Sequence, residues 1–105
     1  MSISERYREV TTDIEVFCRQ LRAAIGAEAK EMRQADKALT ELSGLRERVG
    51  EVPRIRLEAE LTPVLLKAHS HLDGARVLFE EAGEEDRAAA VWELEQKLYR
   101  LLNDL

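Results

Sequence analysis

His69 and His71, the only histidines, and Cys18, the only cysteine, are the side chains best suited to hold a metal or attack a substrate. Two residues apart on a helix, the imidazoles point about 200° away from each other and cannot share one metal ion. One is expected at the surface and one near an interface, with a pH-sensitive contact open to whichever is buried. Cys18 has no second cysteine to bridge within the chain, and Ile14, Phe17 and Leu21 around it mark it as a small buried hydrophobe. Glu28 and Glu31 occupy apolar-phase positions, yet the Glu-x-x-His partners with which helical bundles hold metals are absent. Both are read as solvated, with the apolar stripe passing one residue on to Ala29 and Met32. The sequence contains no Gly-rich phosphate loop, nucleophile elbow or HExxH spacing. It therefore assigns no catalytic residue, no metal ligand and no cofactor, and the expected role is not enzymatic.

The elements that carry these residues read as helices. Fourteen positions from Ile3 to Val49 follow an alternating four-then-three spacing, and twelve are apolar or aromatic, where a 45% hydrophobic chain gives roughly six by chance. The stripe includes Ile14, Phe17, Leu21 and Leu42, and it broadens through Ile25, Met32 and Leu39. That is wider than the narrow seam of a two-stranded coiled coil and suits a bundle with two neighbours. Ser2 and Glu5 have capping-box spacing at its start, and Gly50 followed by Pro53 closes its end. A continuous helix over 3–49 is expected, with a loop at 50–53. The alternative is a break at Gly26, which folds 3–25 against 27–49.

A second helical region spans about 54–82, with a start or kink at Thr62-Pro63, because proline inside a helix costs about 3 kcal/mol. Glu84, Glu85 and Asp86 suit the positive end of a third helix over about 85–104. Its seam is Val91, Leu94, Leu98, Leu101 and Leu105, widened by Trp92 and Tyr99. The fold class is all-α. The favoured arrangement is a long N-terminal helix in a helical hairpin or three-helix coiled-coil-like bundle, completed by oligomerisation. The alternative is a compact four-helix bundle broken at Gly26. Ile14, Phe17, Leu21, Ile25, Met32, Leu39, Leu42, Trp92, Leu98 and Leu101 are the expected core or interface.

Charge narrows the partners. The net charge of −5 is concentrated late: residues 1–49 hold nine basic and nine acidic groups, residues 84–105 three and six. Nucleic acid is disfavoured, since phosphate binding needs a basic footprint. No apolar run approaches the roughly 18 residues of a membrane span, and no signal-like segment opens the chain, so the cytoplasm is the expected location.

Residues Leu78–Ala88 resemble a tetratricopeptide-type turn, but the pattern occurs once and no repeat is assigned. In size, acidity and helical content the chain resembles small secretion and flagellar chaperones. Two binding roles follow as expectations. One is an adaptor or scaffold component that self-associates through the long helix, as a homo-oligomer or with another helical protein. The other is a small acidic chaperone or inhibitor that captures a client's amphipathic helix near Trp92 and Tyr99.

Overall fold

Gly26 decides the architecture. Its φ of +84° lies in the left-handed region, where a side chain is strained, and its N–H caps Arg22 O. In the computed structural model, which describes residues 1–105, the chain turns here instead of continuing. Helix α1 spans Ile3–Ile25 and α2 spans Lys30–Arg46. The continuous helix over 3–49 is thus corrected to two antiparallel helices, and the compact four-helix alternative is the one realised. A rod of that length, roughly 70 Å at 1.5 Å per residue, would leave its stripe open to water along its whole run. Folded at Gly26, the stripe covers itself: Tyr7, Ile14 and Leu21 of α1 and Met32, Ala35 and Leu42 of α2 are all buried.

A short 3-10 turn, Val49–Glu51, leads into α3 at Arg54–Glu81, and α4 occupies Glu85–Asn103. Helix α3 covers the expected helical region of about 54–82 and runs through Pro63, so no separate helix starts at Thr62. Pro63 cannot bond to Ala59 O, but both residues are exposed, so water can satisfy that carbonyl. Leu61 is buried and Leu57 packs on the core, which gives the first two turns of α3 a reason to stay helical.

Each helix packs against its chain neighbours and α4 returns to α1, giving an up-down-up-down ring. Its 28 residues make α3 about 42 Å long at 1.5 Å per residue, which accounts for the 43 Å long axis and the 13.7 Å radius of gyration. Across α1 and α2, the Tyr7 hydroxyl donates to Leu42 O at 2.6 Å and the Cys18 thiol to Ala35 O at 3.5 Å. Arg22 pairs with Asp36, and Arg46 reaches Glu15 at 3.2 Å. Lys97–Asp13 at 2.9 Å and Arg6–Asp104 at 2.7 Å tie α4 to α1. No helix is long and apolar enough to cross a membrane.

Candidate functional site

Of the 24 buried residues, 22 are apolar, so the two polar ones identify where the core does something other than pack. Thr11 is accounted for, because its hydroxyl donates to Tyr7 O at 2.8 Å. Glu95 is not. Its side chain is 0% exposed and neither carboxyl oxygen has a hydrogen-bond partner. A buried acceptor left in this state costs about 1–3 kcal/mol, more if charged.

Helical geometry puts Glu95 there. It lies one turn from both Val91 and Leu98, so it sits on the apolar face of α4 beside the α3 flank. The turn joining the two helices fixes their alignment. Glu84 N donates to Phe79 O at 2.8 Å and Gly83 N to Glu80 O at 3.1 Å, with Gly83 at φ +74°. This is the paired bonding of a Schellman motif. Helix α4 therefore runs back along α3, bringing His69, Asp73 and Arg76 to Glu95.

The surrounding charges are unevenly matched. Arg76 Nε donates to Asp73 Oδ1 at 2.8 Å and Nη1 to Glu80 Oε1 at 2.7 Å. With both groups engaged, Arg76 Nε comes only to 3.6 Å from Glu95 Oε2, and His69 Nε2 stands 3.6 Å from Oε1. These are electrostatic neighbours beyond hydrogen-bond range. Burial pushes the Glu95 carboxyl up to about 8, and the adjacent Asp73 carboxylate adds to the effect while Arg76 opposes it. Asp73 moves the other way, held below the usual carboxylate range chiefly by its hydrogen bond from Arg76. At neutral pH the seam thus holds a protonated Glu95 beside an ionised Asp73. The Glu95 carboxyl is sealed from any substrate in this arrangement.

The two helices that form this cluster also carry four exposed apolar side chains. Trp92 is 48% exposed and Tyr99 53%, and on α3 Leu66 and Val77 also stand open. Trp92 and Tyr99 are seven residues apart, so they share a face of α4 roughly 10 Å along its axis. Leu66 and Val77, eleven apart, share a face of α3 in the same way. The Arg76 guanidinium carbon lies 5.9 Å from the Trp92 ring centre, at the outer limit of a cation–π contact. Beside it is a depression of about 450 Å³, lined by Arg76, Glu80, Glu85, Ala88, Ala89 and Trp92.

The residues expected at a core or interface separate here. Ile14, Leu21, Met32, Leu42, Leu98 and Leu101 are buried, and Phe17, Ile25 and Leu39 pack half-buried against them. Trp92 is not in the core. Glu28 is exposed and Glu31 half-buried, while Met32 takes the core position. His69 belongs to the seam, and His71 has no ion-pair partner. No group of three or more His, Cys, Asp or Glu side chains is arranged to hold a metal ion. Burial pushes the Cys18 thiol up to about 11. Glu95 is the residue that sequence reading overlooked, although its spacing from Val91 and Leu98 placed it on the apolar face. No protein family, characterised protein or solved structure matches this chain.

Proposed function

We propose that this chain is a non-catalytic protein–protein interaction module, a small acidic helical binder that seats a client helix on the α3–α4 face. One observation carries the reading: Trp92 and Tyr99 stand about half exposed on one face of α4, alongside exposed Leu66 and Val77 on α3. Aromatic side chains in such settings dominate interface energetics, because they bring large contact area at little entropic cost. Self-association through the first 49 residues loses its support, since that stripe is consumed inside the bundle.

The test is a photo-crosslinking amino acid placed at Tyr99 or, as a control on α1, at exposed Val16. The expected result is a discrete set of adducts from position 99 alone. Excess unlabelled protein should compete them away, and excess Trp92→Ala protein should not. The same adducts from both positions, or equal competition by the two proteins, would refute docking on this face.

A further inference from the structure

We infer that the partner of the α3–α4 face is a basic amphipathic helix, whose central Lys or Arg lies over Asp73 between two apolar anchors. This rests on the α3–α4 face being the docking surface, and adds what kind of helix it takes.

The argument is one of charge complementarity. A single guanidinium, Arg76, is shared by two carboxylates, Asp73 at 2.8 Å and Glu80 at 2.7 Å, over the neutral Glu95. His69, at 3.6 Å from Glu95, is the only other basic group paired there. Acid is in excess, and Glu85 extends it along the depression beside Trp92. Asp73 and Glu80 remain 41% and 53% exposed despite their bonds to Arg76, so they are open to a second cation.

The spacing defines the ligand. Arg76 opposite Trp92, together with His69 and Arg76 at Glu95, sets the antiparallel alignment of α3 and α4. It brings Val77 level with Trp92 and Leu66 about one turn beyond Tyr99, with Asp73 and Glu95 between. A helix lying along this face would place one apolar residue at each end, seven positions apart, roughly 10 Å. The side chain three or four positions after the first anchor then falls over the acids. A second copy of the chain is a poorer occupant, because a symmetric contact would bring these carboxylates against their own kind.

The test is selection of displayed 18-residue helices by the intact protein. The two anchors are restricted to apolar residues and the positions between them are randomised. Lys or Arg should be enriched at least tenfold over Gln at the third or fourth position. The substitution Asp73→Asn should erase that preference while the apolar anchors are still selected. Trp92, the only tryptophan, reports binding of each selected peptide by its fluorescence. Anchors selected with no central preference, or with an acidic one, would overturn the basic partner and leave the docking face standing. No enrichment over scrambled, non-helical sequences would overturn the docking face itself.

Discussion

Replacing Glu95 with Gln keeps the shape of the side chain and removes its ionisation, so it isolates what burying a carboxyl at the α3–α4 seam costs. In the unfolded chain Glu95 titrates near its ordinary 4.5, and in the folded protein near 8. Between those values the folded state keeps a proton that the unfolded state has released. Stability therefore falls as pH rises from about 4.5 to about 8 and levels off above, the reverse of the usual carboxylate pattern. At 1.36 kcal/mol per pKa unit the ceiling over the whole range is about 5 kcal/mol, of which about 3 fall between pH 5.5 and 8.5. Rotation of Arg76 or His69 onto the ionised carboxylate, or entry of water, lowers this to about 2 kcal/mol. Urea unfolding followed by helical circular dichroism at pH 5.5, 7.0 and 8.5 measures it. Subtracting wild type from Glu95→Gln cancels titrations common to both. The expected outcome is an advantage of Glu95→Gln that grows by about 2 kcal/mol across that range, while Glu93→Gln on the exposed side of α4 shows no growth. Curves for Glu95→Gln and wild type that stay parallel within about 0.5 kcal/mol would refute the reasoning. They would mean that the neighbouring cations already offset the burial.

Two further outcomes follow from the α1–α2 hairpin. Gly26→Ala has open space around the new methyl but a φ of +84° with ψ 160°, so the cost should be backbone strain alone, about 1–3 kcal/mol, read as a lower urea midpoint. An unchanged midpoint would show that the turn does not depend on this conformation. Cys18 is buried and its thiol is held near 11, so a thiol-reactive dye at pH 8 should label it at the rate of local opening, accelerating as urea is added below the unfolding midpoint. Labelling as fast as that of a small free thiol would contradict its burial.

Much of the helical content is local and was legible residue by residue. Ser2 and Glu5 form the capping box that their spacing announced, with Glu5 N bonded to the Ser2 hydroxyl at 3.1 Å. The break at Gly26 was harder to see. The turn of residues 26–29 happens to preserve the four-three spacing, so the stripe reads as continuous across it. The two misfits of the fourteen, Glu28 in the turn and Glu31 in the first turn of α2, were the available signal. At Pro63 the propensity argument left a start or a kink open, and the helix does not start there. One lost hydrogen bond at an exposed carbonyl is outweighed by burying Leu61 and packing Leu57.

By itself the sequence determined that this chain is helical, where α1 and α4 begin and the apolar phase of each helix. Capping, propensity and periodicity act within a few residues and need no distant partner. Only the tertiary structure decided that the first stripe closes on itself and that Trp92 and Tyr99 remain outside. It alone set the state of Glu95, because that state depends on His69, Asp73 and Arg76, which lie on another helix and meet it only once α3 and α4 have packed.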